Sequence, residues 1–234
     1  MKNFIPVCEP YLNGNELKYV QDAVTSNWIS SQGKFIEKFE KEFANFCGVQ
    51  YASGVCNGTV ALHLVLVALD IGPGDEVIIP AHTFTSSAYP FVKNGAKIVW
   101  SDIEISTRVV TAETIAPCIT NSTRAVVVPH LYGYGVDMAA IMTLADERGL
   151  LVIEDAAQAL GVMINGHKAG VYGDFGIFSF HAQKNITTLG EGGMLIVRDP
   201  KKAEIVPMLR HNGHCPYPPN RLDYWIPAMG DVDL

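Results

Sequence analysis

Residues 173–193 read GDFGIFSFHAQKNITTLGEGG, and the reading of this stretch decides how the chain is built. The run FGIFSF is apolar enough for a strand buried on both faces, and GGMLIVRD at 192–199 supplies a second strand after a loop of small residues and glycine. Between the two stands a single lysine, Lys184. Lysine seldom occupies the exit of a buried strand unless its head reaches water, a counter-charge or a covalent partner.

Upstream of this stretch, short apolar runs alternate with helix-like segments. EVIIP (76–80), KIVWSD (97–102), RAVVVP (124–129) and LLVIED (150–155) read as buried strands. VALHLVLVAL (60–69), TAETIAPCI (111–119) and DMAAIMTLADERG (137–149) read as the helices between them. That rhythm predicts an α/β fold, a mostly parallel mixed sheet with helices on both faces. Two amphipathic helices precede it. NELKYVQDAV (15–24) carries Leu17, Val20 and Val24 on one face, and KFIEKFEKEFANFCG (34–48) carries Phe35, Phe39, Phe43 and Phe46, with Gly48 as its stop. PKKAEIVPMLRHNG (200–213) reads as a last helix despite Pro207, and the stretch 214–234, with prolines 216, 218, 219 and 227, reads as irregular. The expected organisation is a large domain over 1–213 and a tail over 214–234.

Composition narrows the function. The 234 residues, 48% hydrophobic, suffice for a substantial single core, and a formal charge of −7 without a basic block argues against nucleic acid or an anionic membrane as partner. Five cysteines, an odd number without a CxxC pair, read as reduced, packed thiols. The opening MKNFIPVCEPYLNGNE lacks the apolar core of a signal peptide, and no apolar stretch reaches membrane-spanning length. Cytoplasmic residence is the expectation.

Ligands of open α/β sheets gather at the carboxyl ends of strands, so the polar residues after each apolar run are the candidates. Asp155 closes LLVIED, and a carboxylate there needs a donor or a cation. It reads either as the N-cap of a helix AAQALG or as the partner of a bound cation. CNGTVALHL puts Asn57, Gly58 and Thr59 at the start of an apolar helix, which serves as a plain helix start or as a phosphate cradle. Ser179, on the strand before the lysine, is a second phosphate donor in the latter case.

Taken together these residues meet the needs of pyridoxal 5'-phosphate: a lysine for the aldehyde, a carboxylate for the ring nitrogen and donors for the phosphate. Asp155 as carboxylate would keep the ring nitrogen protonated, and Lys184 would carry the substrate proton as general base and acid. Gln158, three residues after Asp155, is within reach of the phenolic oxygen, and Phe84 in PAHTFTSS could cover a ring face or belong to the core. His181 could touch substrate or satisfy a backbone carbonyl. His82, His130, His211 and His214 lack metal spacing and read as solvated or structural, and HLYG (130–133) is expected to shape the strand end without chemistry. A Rossmann-type nucleotide site is disfavoured, because no GxGxxG follows the first strand and GEGG reads as a turn.

Six ordered stretches, SNWISSQGKFIEKFEKEFA, CNGTVALHL, GDEVIIPAHTF, VPHLYG, IEDAAQALG and GDFGIFSFHAQKNITTLGEGG, together resemble the DegT/DnrJ/EryC1/StrS sugar aminotransferases of the aspartate-aminotransferase fold group, PLP fold type I. The resemblance implies Lys184 as the lysine that bonds the cofactor, Asp155 on the ring nitrogen and Gln158 on the phenolic oxygen. It also implies Gly58, Thr59 and Ser179 on the phosphate, Phe84 stacked on the ring, and Trp28 lining the sugar site unless it is a packed aromatic. A branch of sugar dehydratases in this family carries histidine in place of the lysine, so Lys184 favours amino transfer. The stretches IPVCEPYLNGNE and SSQGKFIEKFE are most similar to perosamine-synthase-type enzymes. That likeness implies a glutamate donor, C4 of a nucleotide-linked 4-keto-6-deoxyhexose as acceptor, a role in amino-sugar and polysaccharide biosynthesis, and a homodimer. The family pattern also leads to an expected small C-terminal domain beyond GDVDL, and a shortened, non-catalytic cofactor-binding or subunit-interaction module is the alternative expectation.

Overall fold

The structure is a computed structural model that describes residues 4–6, 8–31 and 33–211. The tail expected over 214–234, with His214 and Cys215, lies outside the described residues. Two helices, α1 (Glu16–Thr25) and α2 (Lys34–Cys47), lead into β1 (Ala52–Val55) and α3 (Gly58–Ala68). The chain continues through β2 (Glu76–Pro80), α4 (Tyr89–Lys93), β3 (Lys97–Ser101), α5 (Ala112–Ile115), β4 (Thr123–Pro129), α6 (Met138–Arg148) and β5 (Leu151–Asp155). A small hairpin, β6 (Met163–Ile164) with β7 (His167–Lys168), precedes β8 (Phe175–Ser179), β9 (Gly193–Val197) and α7 (Pro200–Arg210).

Seven strands form one sheet in the order β1-β9-β8-β5-β4-β2-β3. The strands β3, β2, β4, β5 and β8 are parallel, and β9 runs antiparallel to both β8 and β1. The expected mostly parallel mixed sheet is therefore present. Side chains alternate between its faces. Val77, Ile79, Val127, Ile153 and Ile177 pack with Leu62 and Val65 of α3, Phe91 of α4 and Val206 of α7. Ile78, Val126, Val128, Val152 and Phe178 pack on the opposite face with Phe43 of α2 and with Met138 and Ile141 of α6.

The local signals explain most boundaries. Gly48 and Gly149 end α2 and α6 in the left-handed region, at φ 73° and 65°, where glycine carries no steric penalty. Asp199 caps α7 and Pro200 occupies its first turn, where the missing N–H has no consequence; Pro207 sits inside the helix without ending it. The helix expected over 111–119 is only one α turn plus a 3-10 turn at Ala116–Cys118, because Pro117 cannot continue it. Leu17, Val20 and Val24 do lie on a helix, but none is buried, and Leu17 is 70% exposed. The four cysteines among the described residues are free thiols as read, yet packing holds for only some of them. Cys47 is buried, and its burial pushes the thiol up to about 11, whereas Cys8 and Cys56 are exposed. No helix among the described residues is long and apolar enough to cross a membrane.

At the amino-terminal edge of the sheet, Glu76 of β2 stands in register with Lys97 of β3. Lys97 Nζ donates to its carboxylate at 2.7 Å and the Thr120 hydroxyl donates to the other oxygen, which holds the Glu76 carboxyl below the usual carboxylate range. A depressed folded-state value stabilises the fold above the unfolded carboxyl value of about 4.3, and that contribution disappears as pH falls through the folded value. Glu76→Gln is accordingly expected to lower the urea midpoint at pH 7, with the difference from wild type shrinking as titrations move below about pH 4. A difference unchanged with pH would remove the charge from the explanation.

Candidate cofactor site

The parallel strands deliver their carboxyl ends to one edge of the sheet, and a cleft of about 480 Å³ opens there. Thr83 and Phe84 reach it from the segment after β2, Leu131 from the turn after β4, Asp155 from the end of β5, and Ser179, His181 and Lys184 from β8 and its loop. Asn57, Gly58 and Thr59 enter from the start of α3. Every residue expected to hold the cofactor thus lines one cleft. Trp28 is not among its described lining residues; it is 45% exposed in the α1–α2 connection, with its ring beside Gly33.

Register explains the convergence. Asp155 pairs with Ile177 and Ile153 with Phe175, so Asp155 and Ser179 project from the same face as Ile153 and Ile177, the face that α3 covers. The helix can come close because residue 58 is glycine: a Cβ there would stand 3.3 Å from the Ser179 Cβ. The same seam is tight at Gly193, where a Cβ would lie 2.7 Å from the backbone carbon of Asn57. Asn57 Oδ1 accepts the N–H of Val60 at 2.9 Å, which leaves the earlier N–H groups of the first turn directed along the helix axis toward the cleft.

Asp155 lines the cleft. No helix follows it: residues 156–161 form successive tight turns, with Gly161 at φ 79°, and the N–H of Ala157 donates to Asp155 Oδ1 at 3.1 Å in an Asx-type turn. Oδ2 accepts the Ser87 hydroxyl at 2.7 Å. Two donors hold the carboxylate in place, and its remaining lone pairs are available to a ligand.

Gln158 Oε1 accepts the backbone N–H of Tyr132 at 2.7 Å, so the donor end of the amide is its free end. Tyr132 donates from a left-handed conformation, φ 57°, that non-glycine residues seldom adopt. Lys184 is half-buried, and its ammonium lies 5.7 Å from the centroid of the Phe84 ring, within cation–π range. Phe84 itself is 61% exposed, so its ring stands at the cleft and not in the core. His181 accepts the N–H of Gln183 at Nδ1 and faces Glu191 at 3.8 Å, a solvent-exposed pair of small energetic weight.

The neighbouring carboxylate, Glu154, points to the other face and is completely buried. It accepts the N–H groups of Gly170, Tyr172 and Gly173 at 2.8, 2.6 and 2.6 Å and stands 2.9 Å from His130 Nε2. His130 Nδ1 accepts the N–H of Val136, so the ring proton sits on Nε2 and completes a set of four donors. His130 also donates its backbone N–H to the Asp155 carbonyl at 3.0 Å. The histidine expected to be structural is so, with a stronger role than its sequence signalled.

The fit to pyridoxal phosphate rests on this donor set. A helix start pressed onto a serine, where a Cβ would crowd the seam, suits a phosphate. A doubly anchored carboxylate suits a protonated ring nitrogen, an amide NH₂ suits a phenolate oxygen, and a half-buried amine suits an aldehyde. No His, Cys, Asp and Glu cluster suited to a metal occurs among the described residues.

Comparison with known proteins gives the family and the fold. Residues 10–226 match the DegT/DnrJ/EryC1/StrS aminotransferase family. A GDP-perosamine synthase of Vibrio cholerae is 47% identical over 192 residues, covering 82% of this chain and 52% of that protein. The aminotransferase from Psychrobacter cryohalolentis superposes with a TM-score of 0.86 at 37% identity, covering 94% of this chain and 57% of the other. GDP-4-keto-6-deoxy-D-mannose-3-dehydratase of E. coli, solved with bound hydrated PLP, superposes at 0.84 with 27% identity, covering 90% and 55%. The chain spans little more than half the length of these relatives. The sheet is that of the solved aminotransferases.

The Glu154 cluster yields a direct expectation. Glu154→Ala strands the His130 N–H and three backbone N–H groups in a dry interior, and a loss of about 3–5 kcal/mol in unfolding free energy is expected from urea titration. A loss below about 1 kcal/mol would mean that these donors find other partners.

Proposed function

We propose a function from one premise: this chain belongs to the DegT/DnrJ/EryC1/StrS aminotransferase family. The reading is a PLP-dependent sugar aminotransferase that moves an amino group, from glutamate, to C4 of a nucleotide-linked 4-keto-6-deoxyhexose in amino-sugar synthesis. The observation that carries it is the joint presence of Lys184, Asp155, Gln158 and the α3 start around one cleft. The perosamine synthase likeness at 47% identity supports the acceptor.

When bound, the cofactor supplies an aldehyde for amines and an electron-poor ring that accepts the electrons left when a proton departs the substrate carbon. The residues around it have separable tasks. Lys184 Nζ would hold the aldehyde carbon in the resting enzyme and, once displaced by the incoming amine, would take the substrate proton and return it to the neighbouring carbon. Asp155 would keep the ring nitrogen protonated through a charge-assisted hydrogen bond. Gln158 would orient the ring from its phenolic side, Gly58, Thr59 and Ser179 would bind the phosphate, and Phe84 would cover one ring face. His181, at the rim, would meet the substrate.

A homodimer belongs to the same reading. The apolar residues of α1 and of the connection after it support it, with Val24 60% and Ile29 77% exposed. Free thiols and a nucleotide-linked substrate are in keeping with a cytoplasmic protein.

The test is to incubate the chain with pyridoxal phosphate, reduce with borohydride and map the modified peptide. The label is expected on Lys184, and Lys184→Ala is expected to lose it and to lower 2-oxoglutarate release from glutamate by about 10²–10⁴-fold. Label on another lysine, or none, would contradict the cofactor reading. Label without 2-oxoglutarate would leave a binding module, and a monomer by sedimentation at assay concentration would remove the dimer.

A further inference from the structure

Ser87 belongs to the 3-10 turn Thr85–Ser87 that follows Phe84, and its side chain is completely buried. Its hydroxyl contacts two side chains, Asp155 Oδ2 at 2.7 Å and Thr83 Oγ1 at 3.0 Å. An ionised carboxylate can only accept, so Ser87 must donate to Asp155. Its single proton is then committed, and at the Thr83 contact Ser87 accepts while Thr83 donates. The chain of hydroxyls consequently has one direction, Thr83 to Ser87 to Asp155, and each donation strengthens the next.

We propose that Ser87, backed by Thr83, is a positioning residue that fixes the Asp155 carboxylate and weakens its pull on the proton it shares with a bound ring nitrogen. This rests on the cofactor reading above. The effect is electrostatic. A part-buried carboxylate that loses a hydroxyl donor has a less stabilised anion and competes harder for any proton within reach. The proton between Asp155 and a pyridine nitrogen would then move toward the carboxylate, and the ring would accept electrons less readily. Burial gives the hydroxyl its weight: the serine is shielded from water, so no solvent molecule stands ready to replace its donation. Thr83 lines the cleft beside Phe84, which puts the far end of the chain of hydroxyls at the cleft wall.

The experiment uses pyridoxal phosphate labelled with ¹⁵N at the ring, bound to wild type, Ser87→Ala, Ser87→Thr and Thr83→Val. Ring ¹⁵N shift, cofactor dissociation constant and borohydride labelling of Lys184 are read together. Ser87→Ala is expected to keep the Lys184 label, to weaken cofactor binding about 10-fold, the effect of one hydrogen bond to a charged group, and to move the ring ¹⁵N signal toward the unprotonated position. Ser87→Thr should restore both values, and Thr83→Val should move the signal in the same direction by less, without touching the serine. A ring signal and affinity in Ser87→Ala equal to wild type, with Lys184 labelled in both, would overturn the proposal and leave the cofactor reading standing. If Ser87→Ala fails to fold, an unmoved signal in Thr83→Val overturns it. Absence of the Lys184 label in wild type would overturn the cofactor reading, and this proposal with it.

Discussion

Two carboxylates in succession at the end of β5 cannot face the same way, because side chains alternate across a strand. Glu154 turns into the face that α2 and α6 cover, and Asp155 turns into the face that α3 covers. The inward acid is tolerable only because four donors meet it, three of them backbone N–H groups of the 170–173 segment and the fourth His130. Satisfying Glu154 locks β5 against the end of β4 and against the loop leading into β8. The outward acid inherits that rigidity, and the cleft is built around its fixed position.

From this constraint the rest of the site follows by short steps. Asp155 is held by Ala157 and Ser87, Gln158 is held by the backbone of Tyr132, and Ser179 is set by the register between β5 and β8. Gly58 lets α3 bring its first-turn N–H groups up to Ser179. Lys184 arrives from the loop joining β8 to β9, the one antiparallel turn at this edge, with its ammonium opposite the Phe84 ring. The Glu154 cluster that ties the strand ends together lies on the opposite strand face, and the bonds that hold Asp155 and Gln158 leave lone pairs of the one and the amide donors of the other open to the cleft.

Much of this was legible in the sequence. Continuous apolar runs marked β2, β4, β5 and β8, because parallel strands buried on both faces need no polar alternation. The run KIVWS also forms a strand, β3, but at the sheet edge, where Trp100 is 54% exposed and the expected full burial does not occur. Lys184, Asp155 and the Asn57-Gly58-Thr59 start were visible as polar residues at the exits of such runs. What escaped depends on tertiary partners. The first strand, ASGV, carries little apolar signal, since it pairs only with β9 at the sheet edge. The serine of TFTSS gives no local sign that residue 87 is the buried one, and Glu154 looks like an ordinary strand-end acid until the 170–173 loop is folded over it. The stretch AAQALG has good helix propensity, but the turn after Asp155 and the positive φ at Gly161 overrule it.

The central claim is that Lys184 and Asp155 grip opposite ends of one pyridine ring. A crystal structure of the chain grown with pyridoxal phosphate tests it most directly. The account predicts continuous density from Lys184 Nζ to the ligand, the ring nitrogen within hydrogen-bonding distance of Asp155, and the phosphate at the N–H groups of Gly58 and Thr59. Ligand density elsewhere, or a ring whose nitrogen faces away from Asp155, would contradict it.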